Sequence, residues 1–195
     1  DQYAWMLTAL GKFDEAVAQS RRAVDLDPLS PLMNSNLAWW LYYARRFDEA
    51  IAQARKTLAL DPNYSGGYEA LGWSLRWKGD VAGASVALQK AQSLDPNPWN
   101  IGTVGYALAV SGEREQAEQI LRDLEIQAKQ RYATPAGRMV VYLGLGEKER
   151  ALEWLEKCYA DRDPECWFLK VDPVFDSVRN EPRFQAVLKK VGLDK

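Results

Sequence analysis

Histidine is absent from the 195-residue chain. The usual base of a nucleophilic triad and the usual zinc ligand go with it, which weighs against an enzyme. Cysteine is scarce, with Cys158 and Cys166 the pair present, so no disulfide framework is implied and a reducing, cytoplasmic setting is the simpler reading. Neither sign of charge is in excess, since Lys and Arg number 25 against 27 Asp and Glu. Nucleic-acid affinity comes mainly from clustered cations, so neither a polyphosphate partner nor an anionic membrane surface is expected. The longest uncharged apolar stretches reach about half of the ~20 residues a membrane span needs. No glycine-rich loop leads into Lys-Ser or Lys-Thr, and Gly144-Leu145-Gly146 reads as a turn rather than a phosphate cradle. Asp161, Asp163 and Glu165 alternate as in a calcium loop, but Cys166 stands where glycine is needed and Asp172 where glutamate is needed. No metal and no cofactor is expected.

What the chain has is repetition. Ala23 to Pro28 (AVDLDP), Leu58 to Pro62 (LALDP) and Gln92 to Pro96 (QSLDP) end alike, and their prolines are 34 residues apart. Phe13-Asp14-Glu15-Ala16 recurs as Phe47-Asp48-Glu49-Ala50 at the same interval. Within a unit, apolar residues return every three or four places, as in Leu37, Trp40, Leu41, Ala44 and then Ile51, Ala54, Leu58, which is helical periodicity. Gly11, Gly79, Gly112 and Gly146 fall between the two runs, where a helix end commonly takes a left-handed residue, and Asp-Pro closes the second run. Each unit is thus a helix, a tight turn and a second helix. Small residues such as Ala38 and Gly72, facing Ala50 and Ala84, let the two backbones approach. A hairpin of this size cannot bury its apolar face alone and must stack on its neighbours.

This period and pattern resemble the tetratricopeptide repeat, most fully in the third unit through Tyr68, Leu71-Gly72, Leu75, Gly79, Ala84, Ala91 and Pro96. The resemblance implies an all-α solenoid, a superhelix of about five helix-turn-helix units at about 1–30, 31–64, 65–97, 98–131 and 132–163, with residues 164–195 as a capping segment. The last two units depart from the motif, with Leu124 and Cys158 at a small-residue place. Cys158 itself reads as a small buried thiol. In the tail, Asp172-Pro173 and Glu181-Pro182 read as helix openers, and Phe184, Val187, Leu188 and Val191 form one apolar stripe backed by Arg183, Lys189 and Lys190. The tail also resembles the ending of bacterial signalling proteins in which such repeats follow a winged-helix activator, a nucleotide cyclase or a protein kinase domain. That likeness implies a carboxy-terminal sensing or docking module with an upstream effector domain. The opening DQYAWMLTALGKF already reads as a helix interior, so the chain is expected to be part of a longer one.

The stretch LAWWLYYARRFDEA, Leu37 to Ala50, is the aromatic extreme of the chain. On a helix turning 100° per residue, Leu37, Trp40, Leu41 and Ala44 share one face, and Trp39, Tyr42 and Tyr43 another. Trp5, Trp39, Trp73 and Tyr106 hold the same place in four successive first helices, and Arg76 and Trp77 match Tyr42 and Tyr43. First helices line the concave side in repeats of this kind, so the resemblance places these eight residues in a groove suited to a peptide segment. Trp, Tyr and Arg dominate binding hot spots. Packing between adjacent repeats is the other reading of the same rings. Asp1, Ser35, Glu69 and Gly102 occupy the places where relatives clamp a terminal carboxylate, with Asn36 the one suggestive amide, so that clamp is not expected. The expected function is a non-catalytic scaffold for protein or peptide; a small-molecule sensor, self-association and single-stranded RNA binding are the rivals.

Overall fold

The computed structural model describes residues 2–130 and 133–194, and for Glu165 the backbone alone. Asp1 and the Glu165 side chain, both considered above, lie outside the described residues. The described chain is helical throughout and divides into two compact units, Asp1–Asp95 and Pro96–Lys195.

The first unit holds three hairpins: α1 (Gln2–Ala9) with α2 (Phe13–Leu26), α3 (Pro31–Tyr43) with α4 (Phe47–Leu60), and α5 (Ser65–Trp77) with α6 (Val81–Leu94). The turn inside each hairpin needs one left-handed residue. Gly11 (φ 79°) and Gly79 (φ 86°) supply it in the first and third, whereas Arg45 (φ 60°) takes it in the second at a steric cost glycine would not bear. The N–H of Lys12, Arg46 and Asp80 then donates to the carbonyls of Leu7, Leu41 and Leu75 at 2.8–3.0 Å, satisfying groups the helix end would leave bare. The second helices stop for another reason. Asp27, Asp61 and Asp95 each precede proline, whose ring excludes the helical region for the residue before it, and their φ values are −139°, −140° and −141°.

Small residues set the packing. Ala38, Ala54 and Ala70 of α3, α4 and α5 are fully buried against one another, with Trp39 and Leu71 laid over them. A Cβ on Gly72 would sit 2.7 Å from Leu88 Cγ and 3.2 Å from the Ala84 carbonyl, so α5 meets α6 where there is no room for a side chain. First helices also pack on one another, α3 on α5 and α1 on α3, besides packing on their own second helices. Buried Asn34 ties the start of α3, donating to the Pro28 and Ser30 carbonyls at 3.1 and 2.9 Å and accepting from Gln53 at 2.7 Å.

The second unit holds α7 (Pro98–Val110) with α8 (Arg114–Gln130), α9 (Pro135–Gly144) with α10 (Lys148–Ala160), and the tail, ending in α11 (Pro182–Val191). Gly112 (φ 86°) and Gly146 (φ 74°) make its hairpin turns. A Cβ on Gly102 would lie 2.3 Å from the Gly137 carbonyl oxygen, so α7 and α9 touch backbone to backbone. Leu124 and Cys158 are fully buried, and neither cysteine is disulfide-bonded. Pro164–Phe168 and Pro173–Phe175 are 3-10 turns. Asp172-Pro173 therefore opens a single short turn rather than a helix, with the Asp172 carboxylate accepting from Val174 N–H at 2.9 Å. Glu181-Pro182 does open α11. Phe184, Val187 and Leu188 are buried and Val191 half-buried. Arg183 is not simply solvated, since it holds Glu156 and Glu149 of α10 at 2.9–3.0 Å.

Candidate functional site

The eight aromatic and arginine positions divide by exposure. Tyr42 (1% exposed), Tyr43 (6%), Trp73 (2%) and Tyr106 (5%) are buried, while Trp5, Trp39, Arg76 and Trp77 are half-buried. The expectation that all eight face a groove is therefore corrected for the first four, which have almost no surface to offer a ligand. The physical reason is the contact between first helices. The face of α3 turned away from α4 is where α5 packs, and large rings fill the gap.

In the first unit the rings form one connected cluster centred on Tyr42. Its ring lies 5.5 Å from Trp39 and 5.2 Å from Tyr43, both edge-on, and 6.5 Å from Trp73. Its hydroxyl accepts from the Trp77 indole N–H at 3.2 Å. Trp39 also stacks on Tyr43, centroids 5.8 Å apart and planes 25° apart. Phe47, at the start of α4, stacks on Trp77 at 6.3 Å and 14°. It was not among the expected site residues, although the repeated Phe-Asp-Glu-Ala motif was the signal that a ring recurs there. Arg76 lies with its guanidinium carbon 5.6 Å from the Trp77 ring centre, and its Nε is buried with no hydrogen-bond partner among the described residues.

Trp39, Arg76 and Trp77 thus form the accessible margin of a mostly internal cluster. Trp5, on α1, is half-buried. Tyr106, on α7, lies within the second unit's core. Of the residues weighed for a carboxylate clamp, Ser35 and Gly102 are buried and Asn36 and Glu69 half-buried.

Two surface clefts of about 490 and 470 Å³ lie elsewhere. One, in the first unit, is walled by α2, α3 and α4; the other, in the second unit, by α8, α9 and α10. Neither is lined by a residue of the ring cluster. Among the described residues no cluster of His, Cys, Asp and Glu is arranged to hold a metal. Asp163, one of the alternating acids, is buried and accepts from the Thr134 hydroxyl at the start of α9. No helix among the described residues is long and apolar enough to cross a membrane.

Two models of the tetratricopeptide repeat match the chain, at residues 2–28 and at residues 35–60. No curated protein matches significantly. Among solved structures, the chain is similar to TTC0263, a thermophilic tetratricopeptide-repeat protein of Thermus thermophilus, at 23% identity over 98% of this chain and 96% of that one, with a TM-score of 0.65. A tetratricopeptide-repeat protein of Parabacteroides merdae matches at 12% identity over 100% of this chain and 78% of that one, with a TM-score of 0.55. YrrB, a tetratricopeptide-repeat protein with an unusual peptide-binding site, matches at 19% identity over 88% and 89%, with a TM-score of 0.50. With its paired helices, left-handed hairpin turns and prolines after the second helices of the first unit, the described chain is all-α and has the solenoid fold of tetratricopeptide-repeat proteins, and residues 2–28 and 35–60 match models of that repeat.

Proposed function

We propose that the chain is a non-catalytic scaffold that binds a protein or peptide segment, with Trp39, Arg76 and Trp77 as contact residues in the first unit and Trp5 extending the same first-helix row. The observation that carries this reading is the half-buried, accessible margin of the ring cluster. Trp39 and Trp77 flank Tyr42, each held by it at 5.5 Å or by a 3.2 Å hydrogen bond. Large rings fixed before a ligand arrives lose little rotamer freedom on binding, which is what a hot spot requires. Tetratricopeptide repeats as protein-interaction scaffolds and the peptide-binding site of YrrB, a relative in fold, support the same class of partner.

In the finer reading the chain is the sensing or docking module of a larger bacterial signalling protein. Exposed Tyr3 and Met6 on α1, with Leu10 in the turn after it, offer an effector domain an apolar surface to meet.

Selection of a random dodecapeptide library on the 195-residue chain tests the contact set. Peptides that bind should lose tenfold or more in affinity with Trp39→Ala combined with Trp77→Ala, about 1.4 kcal/mol or more. A library that yields no binder, or binders indifferent to both changes, would refute the reading.

A further inference from the structure

The cleft of the second unit is a modified copy of the cleft of the first. Leu37, Leu41 and Gln53 line the first cleft, and Arg138, Tyr142 and Trp154 line the second, at a constant offset along the chain. Arg21 and Lys56 likewise match Arg122 and Lys157, while Glu49 is replaced by Arg150. The common floor position thus carries a buried leucine in one unit and a buried arginine, 6% exposed, in the other. Burying a guanidinium where a leucine packs is costly unless the charge is used.

The Arg138 side chain is only partly satisfied within the chain. One terminal nitrogen donates to the Leu124 carbonyl at 2.6 Å, and the guanidinium carbon lies 4.6 Å from the Trp154 ring centre. Its Nε is buried and has no hydrogen-bond partner among the described residues. The Lys157 ammonium lies over the same ring at 3.9 Å, and Arg122 is bonded to the neutral Gln119 amide oxygen at 2.7–2.9 Å. The acids at the cleft are held by cations that do not line it, Glu118 by Arg114 at 2.8 Å and Glu125 by Lys129 at 3.6 Å. The cleft is left with four cations, Arg122, Arg138, Arg150 and Lys157, against two acids, Glu118 and Glu125, of which Glu125 also acts on Arg138.

We propose that this cleft binds the side-chain carboxylate of an acidic peptide segment, Arg138 and Lys157 supplying the cations and Trp154 the surface on which the peptide rests. A planar guanidinium suits a carboxylate. A monoanion suits the cleft better than a phosphate dianion, which Glu118 and Glu125 would repel more strongly. A cleft of about 470 Å³ holds one or two side chains rather than a folded domain. The site lies between the second helices of adjacent hairpins and is independent of the ring cluster in the first unit.

The test is titration of the 195-residue chain with an acetylated, amidated octaglutamate, followed by ¹H–¹⁵N spectra of the arginine Nε–H and tryptophan indole signals at low salt. Saturable shifts of the Arg138 and Trp154 signals are expected. They should weaken tenfold or more in Arg138→Leu, which introduces the residue that the first cleft carries, and severalfold in the exposed Lys157→Gln. Trp39→Ala with Trp77→Ala should leave them unchanged, which separates failure here from failure of the ring-cluster site. An octaserine with a free carboxy terminus and inorganic phosphate are the other arms. Stronger binding of phosphate than of octaglutamate overturns the proposal, and so does saturation by octaserine alone. The absence of saturation up to about 5 mM octaglutamate, or equal binding by Arg138→Leu, overturns it as well. Should Arg138→Leu fail to fold, Lys157→Gln decides, and unchanged binding in that variant overturns the proposal.

Discussion

Trp73→Ala separates the two readings of the aromatic ladder on stability alone. An exposed ligand contact would cost within ~1 kcal/mol when truncated. In the structure Trp73 is 2% exposed, lies on α5, and has the Tyr42 ring 6.5 Å away. A buried tryptophan removes roughly 150–250 Å² from water, which at about 25 cal/mol per Å² is roughly 4–6 kcal/mol. Alanine retains part of that area, and a compact denatured state lowers the figure further. The cavity left behind raises it again, because the Tyr42 ring and its bond to Trp77 stay between α3 and α5 and the helices cannot close fully. The expected loss is about 3–5 kcal/mol. Urea unfolding followed by far-ultraviolet circular dichroism reads it, with the slope against denaturant checked for constancy. Trp39→Ala, at a half-exposed ring, should cost about 1–2 kcal/mol in the same assay. A loss below about 1.5 kcal/mol for Trp73→Ala, or equal losses for the two variants, would refute the claim that the inner rings are packing.

Gly102→Ala should destabilise the second unit by about 3 kcal/mol or more, because the new methyl would meet the Gly137 carbonyl at 2.3 Å with backbone on both sides. Gly112→Ala meets no atom within 4 Å and should cost only the strain of its φ of 86°, about 1 kcal/mol, as thermal melts of both variants would show. A pH effect follows from the carboxylates at the α11 contact and the α2–α4 contact. The hydrogen bonds from Arg183 hold Glu156 below its ordinary value, and those from Arg46 first, with Arg21, do the same for Glu49. A depressed carboxylate contributes stability above the unfolded value of about 4.3 and loses it as pH falls through the folded value. The melting temperature should therefore drop below about pH 4, and Glu156→Gln should flatten that drop. An identical acid profile in the variant would refute the assignment.

The hairpin architecture was legible because its punctuation is local. A glycine between two helical runs and a proline after the second act on neighbouring residues alone, and the left-handed Gly11, Gly79, Gly112 and Gly146 sit where the sequence put them. Arg45 shows the limit of that reading, since its turn has the same geometry with no glycine to mark it. The close approach of α7 and α9 was illegible for a different reason. Nothing local to Gly102 distinguishes a glycine kept for a helix crossing from one with no role. The sequence left the ladder open between groove and packing because a helical wheel yields two faces, whereas a first helix in a stack also touches the first helices beside it, as α3 touches α1 and α5. The face opposite α4 is free in an isolated hairpin and occupied once α5 arrives.

The same packing of first helices on one another explains how one chain can carry two unlike surfaces without altering its fold. Where α3 meets α5, the rings interlock, so the surface left to the cluster is the margin at Trp39, Arg76 and Trp77, and the buried Tyr42 contacts Trp39 and Trp77 of that margin. Where second helices of adjacent hairpins part, a cleft remains whose floor belongs to the first helix between them. That floor position tolerates a change from Leu37 to Arg138 because the side chain meets the open cleft as well as the core. Backbone spacing in both places is set by small residues such as Ala38, Ala54 and Gly137, not by the residues that face a partner. Substitutions at the cleft floor or the ring margin can therefore change what is bound at little cost to the stack, while substitutions at the small residues change the stack itself.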